Sequence, residues 1–333
     1  MSEQSGVTNL SFEADRVWDA FVVGRAGLDL YPEPDGCQIK DALSFSSDMG
    51  GSAGNIAVAM AKAGAKVGLI SALSKDGVGD FVKARLISEG VDISLTSDTL
   101  GNERTSLALA EVRKTDCGVV IYRNDPADLK VTCSDAVKGA LPQSRNLVIT
   151  GTSLIDIDSR AQTLEMMRLA SASGCHVWLD LDYRSWNWPS LEITRQVYLE
   201  AAQYATVVIG NEEEFAVLCD SLDSYIDDGL ARQKIVVLKR GMDGASLYVG
   251  NARLDCGVYA VETVKPYGAG DAFLGNLIVN YMSHGDWRQA ADAGSAAAAI
   301  VVSKRGCASA MPNSDQLKSM QRSQIMTPAA HWS

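Results

Sequence analysis

VKPYGAGDAFLGN, residues Val264 to Asn276, puts three small residues, Gly268, Ala269 and Gly270, directly before Asp271, and then the pattern turns helical. At a helix N-terminus the first backbone N–H groups lack intrahelical partners, and the helix dipole favours negative charge there. Glycine at 268 and 270 removes side chains that would keep a phosphate oxygen from those groups. A carboxylate beside a bound phosphate is repelled as a binding group. It has a use as a base that takes the proton of an alcohol attacking that phosphate. An ordinary N-cap aspartate after a glycine turn is the plainer reading, and this stretch alone does not choose between them.

A second glycine cluster, Gly50, Gly51 and Gly54 in MGGSAGNIAVAM, precedes Asn55 at another helix start. There the backbone can approach a hydroxyl-rich ligand, and Asn55 can both donate and accept. Asp29, in GRAGLDLYPEP, follows the first strand, where ligands of open α/β sheets bind. Together these groups outline a site for a polyol. GRAGLD lacks the G-x-G-x-x-G spacing of a dinucleotide fold and no G-x-x-x-x-G-K-[ST] occurs, which disfavours a dehydrogenase or a P-loop enzyme.

Outward from these motifs, strands and helices alternate. VWDAFVVG reads as a buried strand, AGNIAVAMAKAGA as a helix stopped by Gly64, KVGLISAL as a strand, DGVGDFVKARLISEG as a helix and VDISL as another strand. The rhythm resumes with NLVITG, HVWLDLD, TVVIG and KIVVLKRG as strands, separated by helices in SRAQTLEMMRLASASG, EITRQVYLEAAQYA and NEEEFAVLCD. This is the pattern of a mainly parallel sheet with helices on its faces. Residues 30–48 and 103–125 break it, alternating like half-buried strands with no helix between, and are expected to form a small β lid. Ala-rich AADAGSAAAAIVVSK is expected to be a close-packing core helix. Residues 1–18 read as a tail and 19–333 as one domain.

The 333 residues are 47% hydrophobic, enough for a well-buried core. The net charge of −11, from 41 acidic and 30 basic residues, argues against a nucleic-acid binder. The polar N-terminus lacks the apolar stretch of a signal peptide, no later segment suits a bilayer, and a cytoplasmic protein without membrane contact is expected. Seven cysteines without any C-x-x-C argue against a disulfide framework or zinc site, and with three histidines any metal must be held by oxygens.

The combination resembles the ribokinase, or PfkB, family of carbohydrate kinases from about residue 19 to 315. Four motifs carry the resemblance in order: GGSAGN, NEEE at Asn211 to Glu214, LKRGMDG, and GAGDAF. It implies a three-layer αβα sandwich with a mainly parallel central sheet and a β lid. It also implies ATP and Mg²⁺ as cofactors, Asp271 as catalytic base, and Gly268, Ala269 and Gly270 as an anion hole. Asn211 and Glu214 would organise Mg²⁺ through water, Lys239, Gly241 and Gly244 would line the nucleotide, and Asp29, Gly51 and Asn55 would hold the sugar.

Within the family, GRAGLDLYPEP, ERTSLALAEVR, IYRNDPADL, DLDYRSWNW and KPYGAGDAF are similar to the 5-dehydro-2-deoxygluconokinases of inositol breakdown, which phosphorylate the terminal hydroxyl of a six-carbon keto acid. A carboxylate on the substrate asks for guanidinium partners. By that resemblance Arg123 and Arg184 are expected to supply them, with Arg25 and Arg104 as further candidates. Kinases of 2-keto-3-deoxygluconate or of a neutral sugar such as fructose are the alternatives, and a non-catalytic sugar sensor is a remote one. The D-T-T that precedes G-A-G-D in many relatives, part of a monovalent-cation site, is replaced here by Lys265, Pro266 and Tyr267, so potassium activation is doubted and Lys265 is a candidate for the charge. The family's D-x-N is D-x-D here, Asp180 and Asp182, with no consequence that follows from sequence. A lid with open strand edges predicts a homodimer.

Overall fold

The computed structural model describes residues 9–328. The main sheet opens with β1 (Trp18–Val23). Its unbroken apolar run serves both faces of a covered sheet: Ala20 and Val22 point into one core, Phe21 and Val23 into the other. The chain then leaves for a hairpin, β2 (Gly27–Glu33) and β3 (Ser44–Gly50), paired antiparallel from Gly27↔Gly50 to Glu33↔Ser44. It returns through α1 (Ser52–Lys62) to β4 (Val67–Ile70), and continues through β5 (Ala72–Leu73), α2 (Gly77–Ser88) and β6 (Ser97–Asp98). A second excursion, β7 (Leu107–Ala110) and β8 (Val119–Tyr122), joins the first hairpin. The result is a separate four-stranded sheet in the order β3-β2-β7-β8, built from the two segments in which the sequence shows strand alternation without a helix.

From α3 (Asp135–Ala140) onward, βα units repeat: β9 (Ser144–Thr150), α4 (Ile157–Ala172), β10 (His176–Asp180), α5 (Leu191–Tyr204), β11 (Val207–Asn211), α6 (Glu212–Leu218), α7 (Leu222–Ala231) and β12 (Ile235–Lys239). A hairpin the sequence reading misses, β13 (Ala245–Val249) and β14 (Ala252–Cys256), closes the edge antiparallel. After the short β15 (Val258–Tyr259) come α8 (Ala269–His284), α9 (Trp287–Val302), α10 (Ser314–Ser323) and β16 (Met326–Thr327), which pairs with β15.

The main sheet runs β14-β13-β12-β11-β10-β9-β1-β4, parallel from β12 through β4. Side chains of α1, α8 and α9 fill one face and those of α4, α5 and α6 the other, giving the expected three-layer sandwich. The alanine-rich α9 lies buried along α8, as its composition predicts. One expected strand fails: VDISL makes only an isolated bridge between Gly68 and Asp92, because the Asp92 carboxylate accepts from the Ser94 N–H at 2.8 Å and bends the chain into a turn. Residues 9–16 pack onto the sandwich, where Arg16 donates to the Ser144 and Ser173 carbonyls at 2.6 Å each. Residues 1–8 of the expected tail lie outside the described residues. No described helix is long and apolar enough to cross a membrane.

Candidate active site

The C-terminal ends of β10 and β12 and the N-termini of α1 and α8 meet around one carboxylate. Gly268, the N-cap of α8, takes a left-handed φ of 85° that a side chain would strain, and no side chain caps the helix. The first N–H groups are therefore left for an anion. Asp271 sits in that first turn, and its Oδ2 accepts from Asn55 Nδ2 at 2.8 Å. Burial pushes the Asp271 carboxyl up to about 7; Asp182 and Asp180 add to the rise, against the Asn55 bond and the charge of Lys239. A Cβ on Gly270 would stand 3.5 Å from Lys239 Nζ, which puts that ammonium beside the glycine loop.

Lys239 ends β12 with Nζ 2.9 Å from Asp180 Oδ1 and 3.8 Å from Glu214 Oε2. Burial works against its charge, but these carboxylates hold its pKa above the ordinary value. Asp180 in turn is pushed up to about 6 by burial, opposed by Lys239 and reinforced by Glu214 and Asp182. Asn211 and Glu214 form a reciprocal cap at the start of α6: Asn211 Oδ1 accepts from the Glu214 N–H and Glu214 Oε2 from the Asn211 N–H, both at 2.8 Å. Arg184 lies 2.8 Å from Asp182 Oδ1 and 3.7 Å from Glu214 Oε1, while Ser52 Oγ donates to Asp182 Oδ2 at 2.5 Å. Asp182 holds this double contact in a left-handed backbone, φ 37°. Ser52, Asp180 and Asp182 thus join the site, although sequence reasoning gave them no role. The available signal was two carboxylates at the C-terminal end of a parallel strand.

On the second sheet, Asp29 of β2 shares with Asp271 the neighbourhood of Lys265. Tyr31 Oη donates to its Oδ2 at 3.1 Å, and burial pushes the carboxyl up to about 6 against the charge of Arg25. Asp29 Oδ1 and Asn55 Oδ1 are both buried acceptors without a protein partner. Gly51 carries φ 93°, and a Cβ there would lie 2.5 Å from the Arg25 carbonyl oxygen, so α1 can begin against β2 only with glycine at this position.

The arginines divide. Arg184 is paired with Asp182 and lies near Glu214, yet keeps an opening to solvent, its side chain 43% exposed. Arg123 is buried; its Nη2 donates to Asp128 Oδ2 and, at 3.0 Å, to the Thr152 carbonyl, which commits it to a protein carboxylate. Arg25 Nη1 donates to Ser106 Oγ at 3.0 Å, and Arg104 is an exposed residue 3.7 Å from Asp76 Oδ2. Gly241 and Gly244 flank the turn from β12 into β13, and the need for glycine at 244 comes from the hairpin, since a Cβ would stand 2.0 Å from the Cys256 carbonyl oxygen.

Among the described residues no group of three or more His, Cys, Asp or Glu side chains is arranged to hold a metal ion. Glu214 and Asn211 are bonded to each other, which suits contact with a hydrated Mg²⁺ that phosphates already carry rather than a protein cage.

Comparison with known proteins adds three findings. The sequence pattern of the pfkB family carbohydrate kinases matches residues 19–314. A 5-dehydro-2-deoxygluconokinase of Photobacterium profundum is 37% identical over 322 residues, spanning 93% of this chain and 97% of the relative; one of Geobacillus thermodenitrificans is 33% identical over 318 residues, 93% and 94%. A fructokinase with bound ATP from Xylella fastidiosa shares the fold at a TM-score of 0.80 and 24% identity, covering 91% of this chain and 98% of that one.

Proposed function

The chain belongs to the pfkB family of carbohydrate kinases, and on that premise we propose that it transfers the γ-phosphoryl group of ATP to the terminal primary hydroxyl of 5-dehydro-2-deoxy-D-gluconate, a step of inositol breakdown in the cytoplasm. The observation that carries the reading is Asp271: a carboxylate raised to about 7, in the first turn of a helix whose N-terminus is left for an anion. A base with a pKa near the working pH divides its time between the two forms that proton transfer needs. As the hydroxyl oxygen bonds to phosphorus, its proton passes to Asp271, and the bond from phosphorus to the ADP oxygen breaks with its electron pair on ADP. The N–H groups of the Gly268–Gly270 loop receive the charge developing on the phosphoryl oxygens.

Sugar hydroxyls supply what Asp29 Oδ1 and Asn55 Oδ1 lack, because an unsatisfied buried acceptor costs about 1–3 kcal/mol. Arg184, open to solvent, meets the substrate carboxylate. Arg123 reaches it only by giving up Asp128, and breaking a buried pair costs roughly 3–5 kcal/mol. Lys239 and Gly241 lie on the nucleotide side, with Asn211 and Glu214 touching the waters of Mg²⁺, which would neutralise phosphate charge when bound. We take the enzyme to need no potassium, since a lysine, Lys265, stands three residues before Gly268 where many relatives carry a cation site, and to work as a homodimer through the second sheet. The relatives' names support the keto acid. 2-Keto-3-deoxygluconate or fructose would use the same hydroxyl-binding atoms.

ADP release, followed with the keto acid, ATP and Mg²⁺, tests the assignment by comparing wild type with Asp271→Asn. The substitution should leave nucleotide affinity within a few-fold and lower turnover by roughly 100-fold or more, the scale of a lost general base. Near-normal turnover in Asp271→Asn sinks the reading.

A further inference from the structure

Lys265 is wholly enclosed, with 0% of its surface exposed, and forms no ion pair among the described residues. Its Nζ donates to the Tyr267 carbonyl at 2.6 Å and lies 4.7 Å from the centre of the Tyr267 ring. An ammonium has three donors, and a single carbonyl with one ring face leaves it under-satisfied where water cannot reach. Asp271, Asp29, Asp48 and Cys307 are the ionisable groups that face it, and burial lowers its pKa against their pull. A Cβ on Gly268 would stand 3.5 Å from Nζ, so the charge lies directly behind the glycine loop.

Tyr267 ties the same loop to the second sheet. Its Oη donates to the Glu111 carbonyl at 3.1 Å, and its ring stacks on Tyr31 at 6.4 Å and 11°. Tyr31 is the residue whose hydroxyl bonds Asp29. The residue before Gly268 is thus gripped from within by Lys265 and from outside by the strand that carries Asp29.

We propose that Lys265 and Tyr267 are positioning residues for phosphoryl transfer: Lys265 places a fixed positive charge behind the Gly268–Gly270 loop, and Tyr267 holds that loop in register with the sugar-binding strand. The inference rests on reading the loop as the anion hole. Charge arriving at the front of the loop then meets an ammonium that the resting protein leaves short of partners. The benefit falls on the transition state, where the phosphoryl oxygens approach the loop most closely.

Lys265→Met keeps the unbranched stem, one atom shorter, and removes the charge. Because Nζ bonds a backbone carbonyl and no carboxylate, its removal strips no acid of a bonded partner and Tm should hold, while kcat falls about 100-fold, the scale of a lost oxyanion-hole donor, and KM for the sugar changes by less than about threefold. A purely structural lysine would lower Tm instead. In Lys265→Ala, added methylammonium should enter the vacated space and restore part of kcat, and it should restore nothing in Asp271→Asn. Turnover of Lys265→Met within about threefold of wild type overturns the inference, as does a Lys265→Ala variant indifferent to methylammonium. A wild-type protein without any phosphoryl transfer would instead overturn the functional reading beneath it.

Discussion

Asp271 owes its value as a base to its neighbours. Its pKa near 7 follows first from burial and then from the charge of Asp182. Below that pH the carboxyl holds a proton and cannot accept another, so kcat/KM should climb as pH rises through about 7 and level off above it. Asp182→Asn removes a like charge, lowers the Asp271 pKa and should move that acid limb to lower pH; a pH profile of both proteins checks the sign, and an unmoved limb contradicts it. The glycines and Asp271 could be singled out in the sequence only in combination, because a bare loop beside a carboxylate at a helix start is also an ordinary N-cap, and the second glycine cluster with Asn55 tips the reading toward a site. Ser52 and Asp182 were not, since each gains its meaning from a partner 130 positions away. Arg123 shows the limit from the other side: the sequence offers a guanidinium, but only the fold shows Asp128 holding it.

At the level of elements, the site depends on how α1 and α8 begin. Gly51→Ala forces a Cβ into the Arg25 carbonyl in a backbone of φ 93°, and should cost roughly 1–3 kcal/mol or more, with a lower denaturation midpoint. Gly139→Ala in α3 is the control: a Cβ there meets nothing within 4 Å, so stability should hold or rise by up to about 1 kcal/mol. Equal midpoints for Gly51→Ala and wild type would show that the close approach of α1 to β2 is not a constraint. Buried strands and amphipathic helices were readable because their periodicity is set by burial itself. VDISL misled because a polar side chain folded back on the backbone, and β13–β14 was passed over after the alternation with helices stopped. The first leaves no mark in the hydrophobic pattern; the second does, since ASLYV and ARLDC alternate on either side of Gly250-Asn251, a two-residue hairpin turn.

For the whole molecule, the order of βα units fixed the three-layer sandwich, while the assembly of two distant segments into one sheet could be anticipated but not its strand order. That sheet ends in β8, whose Val119, Val120 and Tyr122 are 48%, 45% and 57% exposed. An open strand edge with apolar side chains is a pairing surface, and on our proposal it meets a second copy. Sedimentation should give a dimer that Val120→Lys shifts toward monomer; a wild-type protein that is monomeric at working concentration contradicts this. The most direct test of the account as a whole is turnover of the intact enzyme with ATP and Mg²⁺ on 5-dehydro-2-deoxygluconate, 2-keto-3-deoxygluconate, fructose and ribose at matched concentrations. The keto acid named first should lead the neutral sugars in kcat/KM by roughly 10- to 100-fold, the worth of one charge-assisted pair to Arg184. A neutral sugar in the lead would leave a sugar kinase standing and contradict the carboxylate-binding site.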